Sequence, residues 1–266
     1  MAAETTRDRP GADRSLSGRT ILMSGGSRGI GLAIAKRAAR DGARVALLAK
    51  TAEPHPKLEG TIYTAADEIR EAGGEALPIV GDVRDEESVA DAVAKTADTF
   101  GGIDIVVNNA SAIDLSATPD LSMKKYDLMQ DINTRGSFLL AKTALRHLER
   151  SDAAHVLTLS PPLNLNPVWA GRHLGYTIAK YGMSLVTLGL AEEWRERGIA
   201  ANSLWPRTTI ATAAVQNLLG GDEVVARSRT PEIMADAAHA VLTRDPRECS
   251  GRFLIDDEVL AEEGVT

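Results

Sequence analysis

Cysteine is almost absent from this chain. Among 266 residues only Cys249 carries a thiol. A single cysteine excludes an internal disulfide and a cluster of thiolate metal ligands. The sequence therefore predicts no metal site, and the composition fits a reducing, cytoplasmic location.

Aromatic residues, basic runs and long apolar runs are scarce as well. Aromatics make up 4% of the chain, so its core must consist mostly of Ala, Val, Ile and Leu. The net charge of −7, without a long basic run, argues against a nucleic-acid-binding protein. No apolar stretch approaches the roughly 20 residues that a membrane-spanning helix needs. Residues 1–17 are polar and lack the apolar segment of a secretory signal, so we expect a flexible lead-in followed by one domain over residues 18–266.

Short continuous apolar runs alternate along the chain with helical patterns. Runs of this kind, separated by helices, predict a parallel sheet that is covered on both faces. We therefore expect a single α/β domain, doubly wound and Rossmann-type, with a seven-stranded, mainly parallel sheet and ligands at the carboxyl ends of the strands. The predicted strands are residues 20–23, 45–49, 76–80, 103–107, 155–159, 200–204 and 252–255. The predicted helices are residues 32–40, 65–72, 86–100, 124–148 and 176–197.

Two irregular stretches interrupt this alternation. Residues 51–60 form an unusually long connection after the second strand, and it contains Pro54 and Pro56. Residues 208–232 follow the sixth strand and contain Gly220 and Gly221. We expect this second stretch to be a mobile cover over the ligand site.

A glycine-rich loop lies between the first strand and the first helix. Gly25, Gly29 and Gly31 form the pattern G-x-x-x-G-x-G. Glycines allow a tight turn and a close approach of the backbone to a pyrophosphate, which the helix N-terminus then attracts. The alternative is an ordinary glycine-rich turn, but strand, loop and helix follow in the order that a dinucleotide site requires.

Tyr176 and Lys180 lie four residues apart on a predicted helix and therefore share one face. An ammonium close to a phenol favours the phenolate, so we expect Lys180 to lower the pKa of Tyr176. Such a tyrosine can serve as an acid or base near neutral pH. Taken alone, the pair is also compatible with a solvated lysine beside a half-buried tyrosine.

The glycine loop together with Tyr-x-x-x-Lys resembles the short-chain dehydrogenase/reductase family over residues 18–256. Further similar pieces are Asp82-Val83, the Asn108–Ser111 stretch and Asn133. Residues 49–57 and 160–167 are similar to one branch of the family, hydroxysteroid dehydrogenase-like protein 2. Animal members of that branch carry an additional sterol-carrier-type domain after this one.

The end of the second strand indicates which nicotinamide cofactor binds. Many NAD enzymes place an acid there, which accepts a hydrogen bond from the ribose hydroxyl. Here the position holds Lys50, which can attract a 2′-phosphate instead, and Arg28 in the loop adds a second cation. Both residues favour NADP(H), although both could be merely solvated.

The resemblance implies the remaining cofactor contacts. Asp82 and Val83 would border the adenine, Asn109 and Ala110 would line the adenosine half, and the stretch from Pro206 to Thr209 would flank the nicotinamide. Where the family usually has Pro-Gly, this chain has Pro206-Arg207. The loop residues assigned to the cofactor are Gly25, Ser27, Arg28, Gly29, Ile30 and Gly31, and Tyr176 and Lys180 are assigned to it as well.

The family's catalytic set would comprise Tyr176, Lys180, Asn133 and a serine. In the family the tyrosine exchanges a proton with the substrate oxygen, the lysine holds the ribose, and the asparagine holds a water. Asn133 could equally be a helix residue that the backbone satisfies.

The serine is out of register in this chain. The family usually places it about 13 residues before the tyrosine, which is Leu163 here. Aligned on the strand instead, its usual place is Pro161, and Ser160, one position earlier, carries the nearest hydroxyl. Asn164 or Asn166 could instead donate an N–H to the developing oxyanion.

The sequence predicts an NADP(H)-dependent oxidoreductase that interconverts a secondary alcohol and a ketone. Apolar residues in the 160–170 loop and the cover suggest an apolar or lipid-like substrate, although they could simply pack those segments. The alternative is a low-turnover NADP(H)-binding sensor or assembly partner, which the shifted serine and the Pro-Arg step favour. The apolar residues that suggest such a substrate are Leu163, Leu165, Val168, Trp169 and Leu218.

By resemblance we expect a homo-oligomer, a dimer or tetramer, formed through the two long helices.

Overall fold

A computed structural model describes residues 14–54, 60–218 and 221–265. Within those residues, seven strands form one sheet in the order β3-β2-β1-β4-β5-β6-β7. Every neighbouring pair is parallel. The strands are β1 (Thr20–Ser24), β2 (Arg44–Ala49), β3 (Glu75–Val80), β4 (Ile105–Asn108), β5 (His155–Thr158), β6 (Ala200–Trp205) and β7 (Phe253–Ile255). The predicted α/β, doubly wound fold is confirmed.

Helices connect the strands and cover the sheet. The first seven are α1 (Gly29–Ala39), α2 (Ile62–Glu71), α3 (Glu86–Phe100), α4 (Met123–Met129), α5 (Gly136–Leu148), α6 (Pro167–Arg172) and α7 (Leu174–Glu193). The others are α8 (Ala213–Leu218), α9 (Gly221–Ala226), α10 (Glu232–Leu242) and α11 (Asp256–Glu262).

Two apolar cores lie on opposite faces of the sheet. Side chains of α1, α2 and α10 pack on one face, and side chains of α3, α5 and α7 pack on the other. Alternate residues of one strand enter different cores: Ile21 and Met23 belong to the first, whereas Leu22 belongs to the second. This arrangement explains why the strands are continuously apolar rather than alternating.

Local signals place several helix ends. Asp85 caps α3 by accepting a hydrogen bond from the N–H of Ser88, and Gly101 ends the helix in the left-handed conformation at φ 86°. The bounds of this helix agree with the prediction. Thr61 and Thr64 form a reciprocal capping box that starts α2.

The long helix predicted over residues 124–148 is interrupted. A π-helical segment, Gln130–Arg135, separates α4 from α5 and contains Asn133. A π-helix is an inserted bulge that is frequent at functional sites, and hydrophobic periodicity does not reveal it.

The predicted lead-in and the two irregular stretches are only partly described. Residues 1–13, 55–59 and 219–220 lie outside the described residues, as does the side chain of Leu218. Leu16 is buried in the first core, and its N–H donates to Asp41 Oδ2 at 2.8 Å, so the packed domain begins before residue 18. The expected cover contains α8 and α9.

Candidate active site

The predicted site residues follow the carboxyl ends of the strands. Ser24 of β1 pairs with Asn108 of β4, which pairs with Thr158 of β5, which in turn pairs with Ser203 of β6. Because all these strands are parallel, the segments that follow them meet along one edge of the sheet. This edge is where a doubly wound fold binds its ligand.

The glycine loop forms a cradle at the centre of this edge. Gly25 and Gly29 have φ values of +78° and +58°, which residues other than glycine rarely adopt. Arg28, the residue before α1, has an extended backbone, and its side chain makes no capping hydrogen bond to the first turn of the helix. A Cβ on Gly31 would lie 2.5 Å from Asn109 Nδ2. The loop thus fits a pyrophosphate held against the N-terminus of α1.

Asn109 braces this loop from below. Its side-chain Nδ2 donates to the carbonyl of Ser24 at 3.2 Å, and the backbone N–H groups of Asn109 and Ala110 both donate to Ser24 Oγ at 3.2 Å. These bonds lock the end of β1 to the end of β4. The structure places Asn109 as a support under the glycines, in addition to any contact that it makes with adenosine.

The corner at the ends of β2 and β3 carries a cluster of charges. Lys50 Nζ donates to Asp82 Oδ2 at 3.1 Å, and Arg84 also binds this carboxylate. The Arg84 hydrogen bonds, followed by those of its backbone and of Lys50, hold the pKa of Asp82 well below its usual range. Asp82 thus pairs with both cations, and Asp131 also acts electrostatically on Arg84.

Arg28 and Val83 are placed more deeply than their predicted roles imply. Arg28 Nη2 donates to the carbonyl of Gly60 at 2.8 Å, so its guanidinium helps to join the loop to the start of α2. Burial lowers the pKa of this group. Val83 is buried and packs against Gly136 at the start of α5. Ser27 is buried, and Ile30 packs on the first core.

Tyr176 and Lys180 lie one turn apart on α7, as predicted. Lys180 is fully enclosed: Nζ donates to the carbonyl of Leu159 at 2.6 Å and lies 5.2 Å from the ring centroid of Trp205. Burial lowers the pKa of Lys180 to about 7. Among the described residues, no carboxylate pairs with this amine.

The expected lowering of the Tyr176 pKa is wrong for this structure. Burial raises the pKa of Tyr176 to about 12, and a hydrogen bond with Ser111 offsets that rise only in part. The Lys180 amine donates to the Leu159 carbonyl. The burial of Tyr176 therefore raises its pKa by more than a nearby ammonium lowers it.

Ser160 does not face the cleft. Its side chain is fully buried, and its Oγ shares a hydrogen bond of 2.8 Å with Ser203 Oγ on β6. The expected role as an oxyanion donor is not supported by this placement, because the hydroxyl is enclosed and already paired. The next residue, Pro161, occupies the position where the chain turns outward, and its carbonyl accepts a hydrogen bond from Ser184 Oγ at 2.6 Å.

The alternative donors, Asn164 and Asn166, build the loop in which they lie. Asn164 Oδ1 accepts from the N–H of Asn166 at 3.0 Å, and Asn166 Oδ1 accepts from the N–H of Val168 at 3.1 Å, which caps α6. Both residues are exposed. No described hydrogen bond joins either of them to Tyr176.

Asn133 clamps the segment that follows β4. Its Oδ1 accepts from the N–H of Ala112 at 2.8 Å, and its Nδ2 donates to the carbonyl of Ala112 at 3.0 Å. The side chain is fully buried. The backbone therefore satisfies Asn133, as one of the two possibilities left by the sequence requires, and a distant segment supplies that backbone. Its catalytic role stays a prediction.

The segment after β6 is tied to α11. The N–H of Arg207 donates to the buried Asp256 carboxylate at 3.0 Å, and its guanidinium pairs with Asp257 and Glu258. Thr209 Oγ1 accepts from Ser228 Oγ at 2.8 Å. Arginine where the family has glycine thus anchors the path from Pro206 towards the cover.

Ser111 is the site residue that sequence reasoning missed. Its exposed side chain follows β4 by three residues, its hydroxyl donates to the carbonyl of Ala112 at 3.4 Å, and its interaction with Tyr176 lowers the pKa of that phenol. The signal was present, since a hydroxyl just beyond a strand end lies at the ligand edge of a parallel sheet. Strand position alone, however, does not show which helix the hydroxyl meets.

The described residues were also compared with the requirements of a metal site and of a membrane-spanning helix. No group of three or more His, Cys, Asp or Glu side chains stands close enough to hold a metal ion within the ranges given above. Across the same residues, no helix is both long and apolar enough to cross a membrane.

The fold, the glycine cradle and the Tyr176–Lys180 pair together define a short-chain dehydrogenase/reductase, and the chain belongs to that family. The family model, described as short chain dehydrogenase, matches residues 19–221. Members are oxidoreductases that use a nicotinamide cofactor, NAD or NADP, and bind small-molecule substrates.

Within the family, the chain belongs to the predicted branch. It is 58% identical over 250 residues to hydroxysteroid dehydrogenase-like protein 2 of Xenopus tropicalis, which covers 94% of this chain and 59% of that protein. The human protein of the same name is 53% identical over the same length. The chain thus spans about three fifths of the length of these relatives.

Two solved structures are similar over nearly their whole length. One from Xanthomonas campestris has a TM-score of 0.92 and 60% identity, with 95% of this chain and 92% of that chain covered. A short chain dehydrogenase from Mycobacterium thermoresistibile has a TM-score of 0.90 and 60% identity, with 94% and 89% covered.

Proposed function

We propose that this chain is an NADP(H)-dependent oxidoreductase that interconverts a secondary alcohol and a ketone, with Tyr176 as the acid or base. One observation carries the proposal: Tyr176 lies one helical turn before Lys180, whose buried amine is held at the Leu159 carbonyl, just beyond β5, and has no carboxylate partner among the described residues. Burying an amine without an opposite charge is costly, which favours a functional reason for it. Ribose hydroxyls of a bound cofactor would add hydrogen-bond partners for this amine.

The residues of the site divide the work. The N-terminus of α1 and the glycine loop would hold the pyrophosphate, and Lys180 would bind the nicotinamide ribose. When bound, the cofactor supplies or accepts the hydride. Tyr176 would transfer the proton at the substrate oxygen. With a pKa of about 12, its phenol is protonated at neutral pH and so holds the proton that ketone reduction consumes.

The preference for NADP(H) rests on the corner at β2. Lys50 and Arg84 outnumber Asp82 there, and Lys50 remains largely exposed. An exposed ammonium at the end of β2 would attract a 2′-phosphate, and Asp82 already has cationic partners that compete for its oxygens. Arg28 would add a second positive group from the loop side.

An apolar substrate fits the loop after β5. Leu165, Val168 and Trp169 are all at least half exposed, and they lie in the segment that leads to α7 and Tyr176. Exposed apolar side chains grouped beside a site favour an apolar ligand. Leu163, which is partly buried, adds to the same wall.

The decisive experiment follows NADPH absorbance with a panel of carbonyl compounds: butanone, octanone, acetophenone, cyclohexanone and acetoacetyl-CoA. Tyr176→Phe should lower turnover at least a thousandfold, roughly the upper part of the range for general acid catalysis together with lost oxyanion contact. NADPH affinity, measured by fluorescence, should be kept. Tyr63→Phe, at a half-exposed tyrosine on α2, is the matched control.

The second candidate, an NADP(H)-binding sensor or assembly partner with little turnover, is favoured by the enclosed Ser160 and the raised pKa of Tyr176. Both candidates bind NADPH. If the wild type and Tyr176→Phe consume NADPH equally slowly with every compound while both bind it, the oxidoreductase proposal fails and the sensor takes its place.

We also propose a homo-oligomer, a dimer or tetramer, formed through α5 and α7. Phe138 on α5 and Ile178, Leu185 and Leu188 on α7 are large apolar side chains with substantial exposure. Light scattering should show an assembly that Leu185→Glu dissociates, whereas an unchanged mass would contradict this interface. A cytoplasmic location, which suits the free, buried thiol of Cys249, stays a prediction from the sequence.

A further inference from the structure

The helix that carries Tyr176 begins at a single irregular residue. His173 separates α6 from α7, and its backbone angles, φ −147° and ψ 68°, are not helical. Its carbonyl accepts a hydrogen bond from the N–H of Thr177 at 2.9 Å, which opens the first turn of α7. Because Tyr176 lies within this turn, the placement of His173 bears directly on the placement of the phenol.

The side chain of His173 reaches the segment between β4 and α4, residues 109–122. Its Nδ1 lies 2.8 Å from the carbonyl oxygen of Leu115. A carbonyl oxygen only accepts, so Nδ1 carries the hydrogen and donates it. The start of α7 is therefore bonded to a residue that lies 58 positions earlier in the chain.

Leu115 is a fixed partner, because other hydrogen bonds hold its segment. Before it, Asn133 Oδ1 accepts from the N–H of Ala112 at 2.8 Å, and Asn133 Nδ2 donates to the carbonyl of the same residue at 3.0 Å. Around it, Asp114 Oδ1 accepts from the N–H of Ser116 at 2.9 Å. The bond across to α7 therefore ends on a backbone that other bonds keep in place.

Apolar contact brings α7 against the same segment but does not align it. Gly175, the residue before Tyr176, packs so closely there that an added Cβ would lie 2.3 Å from Leu121 Cδ2. Apolar attraction is non-directional, so this contact alone does not fix the rotation of the helix about its axis. A hydrogen bond is directional and does constrain that rotation.

Two directional bonds bracket Tyr176 on its helix. The His173 bond lies three residues before the phenol, and Thr134 Oγ1 donates to the carbonyl of Ala179, three residues after it, at 3.1 Å. Loss of the first bond would leave the turn that carries the phenol held chiefly from its C-terminal side. A reacting group displaced by about 1 Å can lower a rate about a hundredfold.

We propose that His173 is a positioning residue for the acid–base step: its bond to the Leu115 carbonyl holds the first turn of α7 so that the Tyr176 hydroxyl meets the substrate oxygen. The inference rests on the proposed oxidoreductase function. During ketone reduction the carbonyl carbon takes the hydride from the cofactor, and the carbonyl oxygen takes the proton from Tyr176. His173 exchanges no proton in this step and acts only through the helix.

The test compares His173→Asn, His173→Asp and His173→Ala, with the carbonyl compound that the wild type reduces fastest in the panel. The amide nitrogen of asparagine is bonded to Cγ, as Nδ1 of histidine is, so it can donate to the Leu115 carbonyl. Aspartate has the same shape and caps a helix equally well, but its carboxylate only accepts. kcat should stay within about threefold of the wild type in His173→Asn and fall about tenfold to a hundredfold in the other two variants.

Two readouts separate misalignment of the phenol from loss of folded protein. The NADPH affinity and the fraction of chains that bind NADPH, both from fluorescence titration, should match the wild type in all three variants. The solvent deuterium isotope effect on kcat should be larger in His173→Asp than in His173→Asn, because proton transfer from a misplaced phenol becomes slower. His147→Gln is the matched control, since its ring accepts a hydrogen bond from the adjacent Arg146, and it should leave kcat unchanged.

Equal kcat values in His173→Asn and His173→Asp, whether normal or reduced, would overturn the inference, because these two variants differ in the donor that the bond needs. If His173→Asp keeps a normal kcat while Tyr176→Phe is inactive, the inference fails and the proposed function stands.

If the wild type reduces none of the compounds, the proposed function fails, and hydrogen exchange tests the bond by itself. The amides of residues 174–180, followed by mass spectrometry, should exchange about fivefold faster or more in His173→Asp than in His173→Asn, as the loss of one hydrogen bond predicts. Such a difference would support the anchoring of α7 even then. Equal exchange would show that the bond does not hold the first turn of α7, and the inference would fail as well.

Discussion

The two halves of the cleft are built by different means. Around β1 and β2 the shape comes from the backbone: glycines with positive φ, the first turn of α1 and a loop that Asn109 braces. Around β5 and α7 it comes from side chains that reach across long sequence separations, such as Lys180 to Leu159 and Ser160 to Ser203. The first half depends on its glycines and on the Asn109 brace, whereas the second depends on side-chain partners that lie far apart in sequence.

The largest effect that would test this contrast lies in the second half, at Lys180. In the folded chain the pKa of Lys180 is about 7, below the ordinary value of 10.5. Between these pH values the unfolded state binds more protons, so stability rises with pH across that window and is lowest below pH 7. Between pH 7 and pH 9.5, the free energy of unfolding should rise by about 3 kcal/mol more in the wild type than in Lys180→Met.

Urea unfolding of the protein without cofactor measures this difference. The exposed Lys142→Met variant, on α5, is the control and should follow the wild type at both pH values. If the free energy of unfolding changed with pH equally in the wild type and in Lys180→Met, the pKa of Lys180 would not be lowered in the folded protein.

The next effect concerns the backbone-built half, at Gly31. A Cβ there would lie 2.5 Å from Asn109 Nδ2 and 2.8 Å from Gly26 Cα, so either the loop or its brace must move. Overpacking of this kind costs about 1 to 3 kcal/mol. Gly31→Ala should therefore weaken NADPH binding about tenfold to a hundredfold, as judged by fluorescence titration.

The control for this variant is Gly102→Ala, since a Cβ at Gly102 meets no atom within 4 Å. Its NADPH affinity should equal that of the wild type. If Gly31→Ala also binds normally, the cradle is not where the pyrophosphate rests.

The smallest effect is expected at the outer end of the cofactor half. Lys50→Asp should shift the ratio of kcat/KM for NADPH over NADH towards NADH by about tenfold or more, because an acid accepts the ribose hydroxyl bond and repels a phosphate. Lys50→Met separates the two causes, since it removes the attraction without adding an acceptor. An unchanged ratio in Lys50→Asp would refute the NADP(H) preference.

The same contrast explains how far the sequence could be interpreted. The seven strands, the glycine loop and the bounds of α3 follow from local patterns, and all of them appear in the structure. The site residues whose placement departed from expectation depend on distant partners. Ser160 is enclosed because Ser203 lies opposite it on β6, and Asn133 is buried because the backbone of Ala112, in the segment after β4, satisfies its side chain. No local pattern encodes such pairings.

The turn after β5 has a consequence for the polarity of the cleft. Proline lacks an N–H, so Pro161 and Pro162 provide no backbone donor, and the Pro161 carbonyl is already bound by Ser184. At these two positions the turn therefore offers a ligand no backbone N–H. A ligand group that needs a hydrogen-bond donor would have to find it in another part of the cleft.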